Sequence, residues 1–254
     1  MKQTPVVFIH GAWLHARSWE PWVDRFAGLG FRAVAPAWPG EPDTVRELRA
    51  SPRALSALGL DALTEHYADI VRSFDTAPVI VGHAVGGHVA QHLITADLGR
   101  AAVAIAPAPA RQTPLPHELR ADPDGRTVTL TPEQFHRLVA NTLSAAEAGR
   151  LHEAFAVPAP YRLLTDLAQG READIARTAR GPLLLVSGQE DRLVPDEATR
   201  AGYKRYGDTA AVTDLKQFVN RGHSLVIDDG WHSVADHVLA WLREQGVRGR
   251  PAER

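Results

Sequence analysis

Val79-Ile80-Val81-Gly82-His83-Ala84-Val85-Gly86-Gly87 is a β-branched run that breaks into a glycine-bounded turn, and a helical pattern follows from His88 to Ile94. Strand, sharp turn and helix in that order form the elbow that holds a nucleophile at the edge of an α/β sheet, with the signature Gly-x-Ser-x-Gly. The glycines are needed because the turn is strained and the packed backbone leaves no room for Cβ atoms. Position 84, where such an elbow carries its serine, holds alanine. Every part of the elbow is present except the oxygen.

Outward from this turn, short apolar runs alternate with amphipathic stretches. The candidate strands are 6–9, 33–35, 79–81, 102–105, 183–186 and 212–218; the helical patterns are 19–29, 61–74, 87–96, 197–206 and 231–243. Unbroken Val/Ile/Leu/Phe runs mark strands buried on both faces, and their alternation with helices predicts a doubly wound, mostly parallel sheet. The alternation fails between Ala106 and Arg180. Pro107, Pro109, Pro114 and Pro116 give an extended start, and Asp122-Pro-Asp-Gly125 reads as a turn. Thr131-Pro132 opens a helix expected to run to about Leu143, with two more over 145–156 and 160–168. We therefore expect a core of residues 1–106 and 181–254 with a helical lid, 107–180, inserted between two strands. The tail after Gln245 is expected to fray.

Composition narrows the function classes. The 254 residues, 44% hydrophobic and 23% charged, suffice for one large domain with a proper core. A net charge of −2 gives no reason to expect nucleic acid or an anionic membrane as partner. There is no cysteine, hence no disulfide, thiolate metal site or thiol nucleophile. No signal-peptide pattern or membrane-spanning run occurs, which makes the cytoplasm the expected location. The twelve histidines are scattered without ligand spacing, so no metal site is expected.

Three further segments fall where acyl-transfer chemistry needs them. Phe8-Ile9-His10-Gly11-Ala12-Trp13 follows the first strand. A backbone N–H there, of Ala12 or Trp13, would join that of Val85 as an oxyanion hole, each donor being worth roughly 3 kcal/mol. Leu183-Leu-Leu-Val-Ser-Gly188-Gln-Glu190-Asp191 ends a buried strand with a carboxylate at its C-terminal edge, the ligand-binding side of such sheets. Asp191 would orient an imidazole and stabilise its charged form. Glu190 is its nearest rival, and Asp196 reads as a helix N-cap. Asn220-Arg221-Gly222-His223 follows the last strand and supplies that imidazole. Gly222-His223-Ser224 imitates an elbow, but Val226 stands where the second glycine belongs, so Ser224 is not a nucleophile candidate. Trp13, Trp38 and His83 are expected to wall a mostly apolar pocket, with Phe135, Leu138 and Phe155 of the lid closing over it. The same aromatics could instead be the lid's packing face, and His10 and His15 either approach the ligand or satisfy backbone groups.

These motifs, together with Ala35-Pro36-Ala37-Trp38-Pro39-Gly40, resemble the α/β-hydrolase superfamily, specifically its compact bacterial lipase/esterase-like members with a helical cap, from Val6 to about Leu242. The resemblance implies a Ser–His–Asp triad acting without cofactor on esters, thioesters, lactones or amides, with Asp191 as acid and His223 as base. Ala84 departs from it. Loss of a triad nucleophile costs on the order of a millionfold in turnover. Three explanations compete: alanine replaces the serine of an active parent, which the intact acid and base favour; the protein does serine-independent lyase, cyclase or isomerase chemistry through His223; or it only binds a small ligand.

Overall fold

The computed structural model describes residues 3–109, 119, 121–122, 124–170, 180–207 and 210–250. Eight strands and nine α-helices are formed among them. The strands are β1 (Thr4–Ile9), β2 (Phe31–Val34), β3 (Val79–His83), β4 (Ala101–Ile105), β5 (Thr127–Val128), β6 (Ala159–Pro160), β7 (Leu183–Gly188) and β8 (Thr213–Phe218). The helices are α1 (Glu20–Gly28), α2 (Val45–Ala50), α3 (Leu60–Arg72), α4 (Val85–Thr95), α5 (Pro132–Leu138), α6 (Ala145–Phe155), α7 (Tyr161–Gln169), α8 (Asp196–Arg205) and α9 (Trp231–Glu244).

Six strands form one sheet in the order β2-β1-β3-β4-β7-β8, and every pairing is parallel. β1, β3, β4 and β7 are buried along their whole length, as their unbroken apolar runs require. The edge strands β2 and β8 are only partly covered. Helix α1 packs beside α9, with Trp22 and Trp231 ring centroids 5.7 Å apart, while the Trp22 indole donates to Val226 O at 2.9 Å. Phe8, Trp19, Trp22 and Phe26 form one aromatic cluster there, and the Trp241 indole donates to Asp214.

Strand order reverses between β1 and β3, and ligands of open parallel sheets bind beside that switch, beyond the strands' carboxyl ends. Ile9 lies opposite Gly82, and Gly188 opposite Phe218. Register thus brings the loops after β1 and β3 together, and likewise those after β7 and β8.

The segment between β4 and β7 contains α5, α6, α7 and the antiparallel pair β5–β6, which the sequence pattern did not reveal. It is tied to the sheet's carboxyl edge. His15 N–H donates to Phe155 O at 3.1 Å, Val157 N–H to Trp13 O at 3.1 Å and Ser224 N–H to Val139 O at 2.8 Å. Pro114 and Pro116 of the expected extended start lie outside the described residues. The turn before β5 is closed by Gly125 N–H on Asp122 O at 2.7 Å, with Gly125 at φ 69°.

Three expectations are corrected. Helix α5 stops at Leu138 rather than Leu143: Val139 O, which Leu143 N–H would take in a continuing helix, accepts from Ser224 N–H instead, and Leu143 N–H turns to Ala140 O. Asp196 is the first residue of α8, not its cap; Pro195 caps, and the Asp196 carboxylate accepts from Ser187, Gln217 and Arg200 instead. The tail is docked as far as residue 250: Val247 is buried, Thr4 donates to Arg248 O at 2.8 Å and Arg250 N–H to Gly30 O at 2.8 Å. Residues 251–254 lie outside the described set.

Candidate active site

The elbow is built by close backbone contact. A Cβ on Gly82 would lie 2.0 Å from Gly86 O, and one on Gly86 would lie 2.2 Å from Ile9 O, so neither position can hold a side chain. Between them Ala84 adopts φ 50° and ψ −112°, a conformation that L-residues avoid. Its N–H donates to Ile105 O at 2.9 Å, and its carbonyl accepts from His88 N–H and Ala108 N–H. A Cβ on Gly11 would stand 2.8 Å from the Ala84 methyl, which places the loop after β1 directly against position 84. Val85 is the first residue of α4, so its N–H is among those with no partner inside the helix. Trp13, in the facing loop, has φ 64°; its indole donates to Val128 O and its carbonyl is taken by Val157.

Asp191 and His223 meet where the loops after β7 and β8 come together. His223 Nδ1 lies 2.7 Å from Asp191 Oδ2, and both side chains are buried. The other carboxylate oxygen, Oδ1, accepts the N–H groups of Leu193 (2.9 Å) and Val194 (2.8 Å). The carboxylate therefore cannot turn. A carboxylate only accepts, so a His223 ring with one proton carries it on Nδ1 and leaves the lone pair on Nε2. That Nε2 is buried and has no hydrogen-bond partner in the protein. Glu190, the rival acid, is exposed.

His83 precedes Ala84, and its ring lies 4.4 Å from the His223 ring, centroid to centroid. Its Nε2 donates to the backbone carbonyl of His223 at 3.1 Å. Burial, and then repulsion from His223, push its pKa well below the usual imidazole range, so the ring stays neutral. Of the remaining residues expected to wall the pocket, Trp38 stacks on His10 at 4.4 Å and Phe135 is fully buried against His152. Phe155 is partly exposed and borders an outer groove with Arg49 and Glu153. Phe135 thus occupies the packing face between α5 and α6. His15 bonds to Pro42 O, and Ser224 is buried and donates to Asp228 Oδ2 at 3.2 Å.

Two groups were not singled out by the sequence. Asp228 closes the loop after β8, accepting from Arg221 at 2.8 Å and from Gly230 N–H at 3.0 Å; burial raises its pKa despite Arg221. Glu41 sits buried beside His10 and Trp38, 31 residues along the chain from its imidazole partner. Among the described residues there is no group of three or more His, Cys, Asp or Glu side chains that could hold a metal ion, and no helix long and apolar enough to cross a membrane.

The model of the alpha/beta hydrolase family matches residues 6–237, and the chain belongs to that family. Among solved structures it is similar to a methylesterase from Arabidopsis (TM-score 0.70, 15% identity, covering 95% of this chain and 99% of that one). It is also similar to a monoacylglycerol lipase from Paleococcus ferrophilus (TM-score 0.69, 19% identity, 95% and 94%). A third is a pyrethroid hydrolase solved with a serine-to-alanine substitution (TM-score 0.68, 16% identity, 95% and 97%). At these identities the likeness is one of fold. No curated protein matches the sequence.

Proposed function

We propose that this chain is an esterase-type hydrolase lacking only its nucleophilic oxygen, whose parent form carries serine at position 84 and cleaves a small apolar carboxylic ester, thioester or lactone. The observation that carries this reading is the His223–Asp191 pair. Its acid is fixed by two backbone N–H groups, its tautomer is set, and its Nε2 is unpartnered beside an intact elbow. The solved neighbours whose names are esterase and lipase support the ester class.

In the serine form, His223 Nε2 takes the hydroxyl proton as the oxygen adds to the acyl carbonyl. The oxyanion then lies between Val85 N–H and an N–H of the facing loop, Ala12 or Trp13. His223 returns its proton to the leaving alkoxide, and water repeats the sequence to free the acid. With alanine the first bond cannot form. The site keeps its donors and volume, and turnover falls on the order of a millionfold. No cofactor takes part in these steps.

The test is Ala84→Ser. We expect hydrolysis of p-nitrophenyl esters by this variant and negligible hydrolysis by the chain as it stands; equal inactivity of the two sinks the reading. A second reading rests on the same unpartnered Nε2, which in a site without serine can act directly on a substrate proton. Under it, a reaction catalysed by the unaltered chain is lost in His223→Ala, whereas a pure binder keeps its ligand.

A further inference from the structure

The loop after β1 holds a second imidazole–carboxylate pair, distinct from His223 and Asp191. His10 is buried, and both of its ring nitrogens face oxygen. Nδ1 lies 3.1 Å from Gly11 O and Nε2 lies 3.1 Å from Glu41 Oε2. A carbonyl cannot donate, and neither can an ionised carboxylate, so a ring with one proton satisfies only one of these contacts. The doubly protonated ring satisfies both. His15 next door is a useful contrast: its Nδ1 accepts from Arg17 N–H while Nε2 donates to Pro42 O, which a neutral ring does unaided.

Burial alone would raise the Glu41 pKa, but His10, helped by the Trp38 N–H, outweighs it and holds the carboxyl below the usual range. The Trp38 indole stacks on the His10 ring at 4.4 Å and 20°, offering its π face to a cation. The other titratable groups facing the pair are His15, whose Nε2 is 3.9 Å from Glu41 Oε1, and the buried His83 and Tyr67. His83 stays neutral, its protonation disfavoured in part by His10, and Tyr67 stays neutral because burial and Glu41 raise its pKa.

We propose that His10 and Glu41 form a buried ion pair whose imidazolium fixes and polarises the Gly11–Ala12 peptide, making Ala12 N–H the second oxyanion donor. This rests on the hydrolase reading above. The peptide itself is the link. No cis bond occurs among the described residues, so its C=O and N–H point in opposite directions. With the carbonyl held by His10, the Ala12 N–H is aimed to the other side of the loop. A carbonyl that accepts from a cation also strengthens its own N–H as a donor. Gly11, at the head of this peptide, is the residue whose Cα faces the Ala84 methyl. His10 and Glu41 are thus positioning residues, acting on the reaction through one backbone group.

The ion pair is read without activity, by nitrogen-15 NMR of the histidine side chains in the chain as it stands, with His10 assigned by its loss in His10→Asn. We expect both His10 nitrogens to be protonated at neutral pH, and the imidazolium pattern to collapse in Glu41→Gln. A neutral His10 in the unaltered chain overturns the pair. The catalytic role is read in the Ala84→Ser background. There Glu41→Gln is expected to lower kcat about tenfold with KM unchanged, less than the 10²–10³-fold of deleting an oxyanion donor outright. His10→Asn, whose amide can still reach the Gly11 carbonyl, should retain more activity than His10→Leu. Unchanged kcat in folded Glu41→Gln overturns the positioning role. An inert Ala84→Ser protein instead takes down the hydrolase reading and the oxyanion role together, while the NMR result still decides the ion pair.

Discussion

At position 84 the backbone is held in a conformation that costs about 1–3 kcal/mol for a residue with a Cβ. That strain serves to present a side chain, and alanine keeps it without offering an atom that reacts. Asp191 shows the same economy in its hydrogen bonds. Leu193 and Val194 N–H both point at Oδ1, so an asparagine there must put its oxygen on them and turn its NH₂ toward His223. His223 Nδ1 would then have to accept, and the ring proton would move to Nε2, the atom that must receive the serine proton. In the Ala84→Ser background, Asp191→Asn is therefore expected to reduce kcat by about 10⁴-fold with little loss of thermal stability, as steady-state kinetics and a melting curve will show. A small loss of kcat would mean that the Asp191 hydrogen bonds do not set the tautomer. Asp191 was legible because it follows a glycine at the end of an apolar strand run, and His223 because it follows a glycine on the loop off the last strand. Glu41 was not, since a carboxylate after Trp38-Pro-Gly reads as a solvated turn until β1 and the loop after β2 are packed together.

The elements between β4 and β7 owe their definition to their ends. Helices α5 and α6 each begin with a capping box, Thr131 with Gln134 and Ser144 with Glu147. Helix α3 starts at Gly59, which has no side chain to cap it. Asp166 of α7 supplies the acceptor, its Oδ2 taking Leu60 N–H at 3.1 Å, while Arg162 of α7 reaches Ala57 O. A helix of the inserted segment thereby caps a helix of the core. Asp166→Ala is expected to cost about 1 kcal/mol, the usual worth of an N-cap, and to speed amide exchange at the start of α3 and along α7 together. Faster exchange in α3 alone would show that the cap does not couple the two. Sequence pattern located α5 through its N-cap and first-turn proline, and expected α6 and α7 over 145–156 and 160–168. It missed α2, whose six residues carry only Val45 and Leu48 as large apolar anchors, and β5–β6, two residues each and defined by the distant pairs Thr127–Pro160 and Val128–Ala159 rather than by their own composition.

Across the molecule, the central strands β1, β3, β4 and β7 were the most legible part, because burial on both faces forces an apolar run. Of the two buried imidazoles of α4 and its elbow, His83 was placed by its position in the elbow, but nothing in the sequence separates His88 from surface histidines. The two imidazoles set how the fold responds to acid. Burial, then repulsion from His92, lowers the His88 pKa to about 3, although a hydrogen bond to the Ala108 backbone opposes the shift. A histidine with a depressed folded-state pKa binds more protons unfolded, so stability falls as pH drops below the ordinary value near 6.5. For His88 alone the loss by pH 5 is about 2 kcal/mol, and His83 acts in the same direction. Asp228 acts oppositely: its raised pKa adds stability as pH falls from its folded value toward that of an unfolded aspartate. Glu41 and Asp196, both lowered, contribute losses only below the unfolded carboxylate range. Replacing His88 by leucine removes the bond to Ala108 at every pH but also removes the proton uptake. The stability gap between the unaltered chain and His88→Leu, measured by urea unfolding, should therefore narrow by about 2 kcal/mol between pH 7.5 and pH 5. Parallel curves across that window would mean that the fold accommodates a protonated His88, and that the acid sensitivity of this molecule lies elsewhere.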